Sequence, residues 1–176
     1  MAGTRHSRGA ELADDYQQQV SRLELKVPPD LVALMVAALM WVASKVAPSL
    51  TIPLIVPSAV ARLLAIGLLA AGIVLIVAAR VSFARAGTTW SPVAPHQSRQ
   101  LVTAGVYRYT RNPMYLGTLV VLLALGARLA NPVAAIIALA YVAYMNRFQI
   151  LPEERVLRDR FGDAYVRYAR RVRRWV

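Results

Sequence analysis

The chain has 176 residues, of which 57% are hydrophobic and 17% charged, with a mean hydropathy of +0.45; an ordinary soluble domain of this length is less apolar, so lipid serves as part of its solvent. Its formal charge of +12 comes from 21 Lys and Arg against 9 Asp and Glu, and because these charges flank apolar stretches they signal membrane orientation rather than a nucleic-acid surface. There is no Cys, and His6 and His96 lie in separate polar segments, so disulfides, thiolate nucleophiles and a metal centre are set aside on composition.

The first 30 residues mix Glu11, Asp14, Asp15 and Glu24 with Arg5, Arg8, Arg22 and Lys26, unlike a cleavable signal peptide with its short basic start. Val20, Leu23 and Val27 recur at helical spacing; this fits a helix lying on the membrane or under a bundle, and equally a solvated tail. Leu31 to Ala47 forms a first apolar span, closed by Pro48 and the Pro53 to Pro57 stretch, and Val60 to about Ala84 forms a second, long enough to cross with tilt. Pro113 to Ala130 and Pro132 to about Gln149 supply a third and a fourth. Since only Asn131 and Pro132 separate these two, a tight antiparallel hairpin is expected. The expected fold is therefore all-α: a polytopic bundle of about four transmembrane helices.

Four basic residues fall between 1 and 30, five between 80 and 111, and nine from Arg147 onward, while the connection at 48 to 59 carries none and the hairpin tip only Arg128. The positive-inside rule then puts both termini and the 85 to 112 loop in the cytoplasm. An Arg- and Ala-rich composition points to a bacterial genome, and hence to the inner membrane. Beyond the fourth span, Leu157, Phe161, Tyr165, Tyr168, Val172 and Trp175 repeat at three- and four-residue spacing between arginines. That pattern predicts a basic amphipathic helix able to rest on anionic lipid. Pro152 followed by Glu153 and Glu154 reads as its start, with proline in the first turn and carboxylates at the positive end of the dipole.

Two segments carry chemistry. The run Arg99-Gln-Leu-Val-Thr-Ala-Gly-Val-Tyr-Arg-Tyr-Thr-Arg-Asn-Pro-Met-Tyr-Leu-Gly117 is followed, after the hairpin, by Glu153-Glu-Arg-Val-Leu157, Phe161-Gly162 and Tyr165 to Tyr168. Together they resemble the isoprenylcysteine carboxyl methyltransferase and phospholipid methyltransferase superfamily over roughly residues 95 to 175. On this resemblance the chain divides into a segment 1–30, two transmembrane helices in 31–94 and a methyltransferase core in 95–176 with a cytoplasmic cofactor pocket.

The resemblance implies an S-adenosylmethionine pocket lined by Arg99, Gln100, Leu101, Val102, Tyr107, Asn112, Pro113, Met114, Tyr115 and Glu153, with Arg111 either at the cofactor or substrate or an interfacial charge. The residue types suit such a ligand: a sulfonium amino acid needs a carboxylate for its cationic part, donors for its carboxylate and aromatic faces for adenine. The family usually has His where this chain has Arg99 and Asn112, and its substrate-contacting Arg is replaced by Gln149. The implied acceptor is a membrane lipid or isoprenoid, methylated on a carboxylate oxygen or a lipid amine. Glu154 is the candidate base for an amine, and Arg147, near the substituted position, the candidate clamp for an acidic head group. Two other readings stay open on sequence alone: a membrane reductase of steroid-reductase type using a nicotinamide cofactor, and a non-catalytic membrane adaptor.

Overall fold

The computed structural model describes Glu24 and residues 27–46, 58–88 and 100–176. The expected N-terminal helix and the 48 to 59 connection lie almost wholly outside the described residues, as do His6, His96 and Arg99. Six α-helices succeed one another without a strand among the described residues: α1 (Pro29–Val46), α2 (Ser58–Arg85), α3 (Pro113–Leu129), α4 (Pro132–Met145), α5 (Leu151–Phe161) and α6 (Asp163–Arg171). A 3-10 turn at Gly105–Arg108 precedes α3, and a π-helical turn at Asn146–Ile150 joins α4 to α5.

By length and composition, α1 and the Ala59–Arg85 part of α2 are able to cross a membrane, whereas α3 is a shorter apolar helix. Their large side chains point outward: Leu34, Leu63, Ile66 and Val74 are all exposed. Water would penalise such a contiguous apolar surface, so the fold requires lipid around these helices.

Lipid is as apolar as leucine, so helices in it are held together by close packing rather than by hydrophobic exclusion. Here α2 and α3 meet at two glycines. A Cβ on Gly72 would sit 2.7 Å from the Gly117 carbonyl oxygen, and one on Gly117 would sit 2.8 Å from the Gly72 oxygen and 2.7 Å from Ile76. On the other side of α3, Val32, Val36 and Met40 of α1 interlock with Leu122 of α3 and with Tyr141 and Met145 of α4. The α3–α4 hairpin is as tight as its sequence requires. Ala130 takes a left-handed conformation (φ 49°) and donates to the Gly126 carbonyl, and the Asn131 side chain caps α4 by accepting from Val133 N at 2.9 Å.

Two features depart from the sequence reading. The fourth apolar stretch does not end before Pro152; helical backbone continues from α4 through the π turn into α5. Proline has no N–H and its ring crowds the carbonyl four residues back, so the wider turn at 146–150 accommodates it without a break. One extra residue in that turn also rotates α5 by about 100° relative to α4. The amphipathic C-terminal pattern, read as one helix, is two: Gly162 adopts φ 51° with open space around its α-carbon, so the break reflects backbone conformation and not close approach. Beyond α6 the chain is extended at Val172 and turns back toward α3.

The glycine contact makes a prediction. Gly117→Ala should destabilise the solubilised protein by about 1–3 kcal/mol, because the added carbon meets backbone that cannot move aside. Gly67→Ala on the same α2, where a Cβ meets nothing within 4 Å, should leave thermal unfolding unchanged or raised; equal loss in both would discard the contact.

Candidate functional site

At one end of the bundle α2, α3, α5 and α6 surround a cavity of about 240 Å³. The loop that leads to it turns at Gly105, whose positive φ of 63° favours glycine and whose missing Cβ would lie 2.6 Å from the Ser82 hydroxyl oxygen. The adjoining 3-10 turn drives Tyr107 inward, edge-on to Phe83 with ring centroids 5.4 Å apart. The Tyr168 hydroxyl donates to the Tyr107 carbonyl at 2.8 Å and so ties α6 to this turn.

Asn112 and Pro113 then open α3. Proline suits the first helical position, where no amide hydrogen is wanted. The Asn112 side chain does not cap the helix: its Nδ2 donates to the Arg174 carbonyl at 2.9 Å, while the Thr110 hydroxyl donates to the same oxygen at 3.2 Å. Arg111 N donates to the Arg173 carbonyl at 3.0 Å. The three residues before Pro113 are thus stitched to the C-terminal tail, and Trp175 anchors that tail by donating to Asn146 Oδ1 at 3.0 Å.

The two glutamates have different surroundings. Glu153 faces the cavity and accepts from the Tyr115 hydroxyl at 3.0 Å; among the described residues no cation pairs with it. Burial pushes its carboxyl up to about 8, against the pull of the Tyr115 hydrogen bond and with the Glu154 charge adding to the rise. Glu154 lies between two guanidiniums, Arg111 Nη2 at 3.0 Å and Arg174 Nη2 at 2.7 Å. Arg111 Nε is buried and has no hydrogen-bond partner among the described residues. Burial also pushes the Tyr107 and Tyr168 hydroxyls above their ordinary value, so both stay protonated, as does Tyr165, raised to about 12.

The cavity gathers most of the residues singled out on sequence. Gln100, Leu101, Val102 and Tyr107 line it from the loop, Arg111, Asn112, Met114 and Tyr115 from the start of α3, and Glu153 and Glu154 from α5. Pro113 is buried but does not line it. Arg147 is not brought there either: it pairs with Glu24 at 2.8 Å, as does Arg155, while Gln149 donates to the Val27 carbonyl. The residues that sequence reasoning left out are Pro29 and Asp30 of α1, Ile76, Arg80 and Phe83 of α2, and Thr118 of α3. The α2 group is spaced four and three apart, a helical-face signal hidden inside an unbroken apolar run. Tyr165 and Tyr168, read as an interfacial stripe, also face inward. Among the described residues no group of three or more His, Asp or Glu could hold a metal ion.

Comparison with known proteins places this geometry. The family model described as phospholipid methyltransferase matches residues 60–164. The chain belongs to that family. An uncharacterised protein of Haemophilus influenzae is 43% identical over 63 residues, which are 36% of this chain and all of that protein. Protein-S-isoprenylcysteine O-methyltransferases B and A of Arabidopsis thaliana are each 36% identical, over 93 and 96 residues, or 52% and 54% of this chain. The chain spans about half the length of these two plant relatives, 47% and 48%. The region matched to the phospholipid methyltransferase family contains the 3-10 turn, the hairpin and both glutamates.

A raised carboxyl has a measurable consequence. Because the folded value of Glu153 lies above the unfolded one, its contribution to stability is complete below the ordinary carboxylate range and is lost as pH rises through about 8. Thermal unfolding of the ligand-free protein should therefore fall from about pH 5 to about pH 9 in the wild type, and Glu153→Gln should remove a share of that fall. Identical profiles would show that the carboxyl is not held this way.

Proposed function

We propose that the protein is an S-adenosylmethionine-dependent methyltransferase whose acceptor is a lipid-like or isoprenoid molecule at the membrane. The observation that carries this reading is Glu153: a half-buried carboxyl with no cation of its own among the described residues, in an aromatic cavity, within a chain of the phospholipid methyltransferase family. Its surroundings hold it protonated at pH 7, and it ionises when a cationic ligand supplies the partner that a charge there requires.

The side chains present suit that cofactor. Glu153 accepts from the amino group and balances the sulfonium, and Arg111 Nε is a buried donor awaiting an anion such as the ligand's carboxylate. Tyr107, Phe83 and Tyr168 offer faces to adenine. When bound, the cofactor supplies a methyl group on a positively charged sulfur, which leaves as a neutral thioether. The chain contributes alignment and the exclusion of water. Ile76 and Thr118, on the helix side of the cavity, are what an acceptor entering from the bilayer meets first. An acceptor carboxylate needs no base and fits a site in which both oxygens of Glu154 are already engaged by arginines. Arg147, held by Glu24, meets an acidic head group only if that pair opens.

The same reading places α1 to α4 across a bacterial inner membrane, with both termini and the cavity on the cytoplasmic side, supported by the distribution of arginine. Contact with anionic lipid then falls to outward-facing Arg158, Arg167 and Arg170, because the aromatic side of α6 is turned inward.

Calorimetric titration of the purified, detergent-solubilised protein tests the proposal. S-adenosylmethionine and S-adenosylhomocysteine should bind saturably, and Glu153→Ala should weaken the former at least about tenfold, the range for losing a hydrogen-bonded charge. Binding at pH 7 should release protons, since Glu153 ionises to meet a cation. Heat with NADPH alone would point to a membrane reductase, and none with any of these ligands to a non-catalytic role.

A further inference from the structure

Arg111, which faces the cavity together with Arg80, is set in place by residues far from it in sequence. Glu154 Oε1 accepts from Arg174 Nε at 3.0 Å and its Oε2 from Arg174 Nη2 at 2.7 Å, while Arg111 Nη2 lies 3.0 Å from Oε1 as an ion pair. Arg174 therefore takes the two-pronged pairing that a guanidinium makes best with a carboxylate. Arg111 is left with a single-pronged contact and a buried Nε that has no acceptor among the described residues. The backbone repeats the arrangement: the carbonyl of Arg174 holds Thr110 and Asn112, and that of Arg173 holds the Arg111 amide. Two guanidiniums around one carboxylate leave one positive charge in excess, next to the cavity wall.

We infer that Arg174 is a positioning residue which, by occupying Glu154, keeps Arg111 charged in effect and aimed at the carboxylate of an adenosyl amino-acid ligand. The inference rests on the cofactor reading above. Without Arg174, Glu154 is free to fold onto Arg111 as a closed ion pair, cancelling the excess charge and drawing Nε away. The cation end of the ligand, at Glu153, is untouched by that change.

The consequence is selective. Calorimetry on the full chain should show the wild type binding S-adenosylmethionine about 10–100-fold more tightly than its decarboxylated analogue, the range for a hydrogen bond to a charged group. Arg174→Ala should bring this ratio close to one while leaving affinity for the decarboxylated analogue within about twofold, so the analogue reports that the variant is folded. Arg174→Lys, which keeps the charge but not the fork, should restore only part of the ratio. Should Arg174→Ala bind neither ligand, Arg174→Gln, which keeps most of the length of the side chain, decides by the same ratio. A wild-type ratio preserved in these variants overturns the inference while leaving the cofactor reading intact. A wild type that binds both ligands equally removes Arg111 from the carboxylate and the inference with it. Binding of neither by the wild type overturns the cofactor reading itself.

Discussion

Apolar side chains that face lipid do nothing to hold helices against one another, and this constraint shapes the molecule. Cohesion between α2 and α3 comes from two glycines that let backbone meet backbone. Between α1, α3 and α4 it comes from interlocking Val36, Met40, Leu122 and Tyr141. At the cavity end it comes from hydrogen bonds, most of them made by the last residues of the chain. A tail of a few residues would be a weak fastening in a soluble protein with a large core. Here it closes the cavity end, where Thr110, Arg111, Asn112 and Glu154 all bind it.

That polar end is organised around unequal carboxylates. Glu153 and Glu154 are neighbours in sequence, yet one faces an aromatic cavity with only a tyrosine hydroxyl, and the other is clasped by arginines. Low dielectric makes a charge costly unless it is paired: Glu154 has its arginines, while burial pushes the Glu153 carboxyl up toward its neutral form. The π-helical turn before Pro152 contributes to this difference, because it changes the helical phase at which the two side chains emerge. Such turns occur often at functional sites, and here Gln149 and Ile150 within it are buried, Gln149 donating to the Val27 carbonyl.

The motif residues acquire distinct physical jobs. Gly105 supplies a backbone conformation, Pro113 a helix start, Asn112 a tether for the C-terminal tail, and Tyr107 and Tyr115 walls of the cavity. Several of these positions hold the backbone that frames the cavity, Gly105, Asn112 and Pro113 among them. Arg147 shows the converse, since its place near Gln149 suggested a clamp, while its side chain is spent on Glu24.

The sequence by itself determined the helical class, the apolar α1 and α2, the tight hairpin at Asn131 and Pro132, and the family-bearing residues from Gln100 to Glu154, because periodicity, proline and turn chemistry are local properties of the chain. It also misled locally. A three- and four-residue stripe from Leu157 to Trp175 looks like one helix, since periodicity continues across Gly162 while the backbone does not. Only the tertiary structure decided which glutamate keeps a partner, that Ile76, Arg80 and Phe83 form a wall, and that Arg174 reaches Glu154 and, through it, Arg111. Those outcomes depend on which residues distant in sequence share one small low-dielectric space, and no spacing along the chain encodes that.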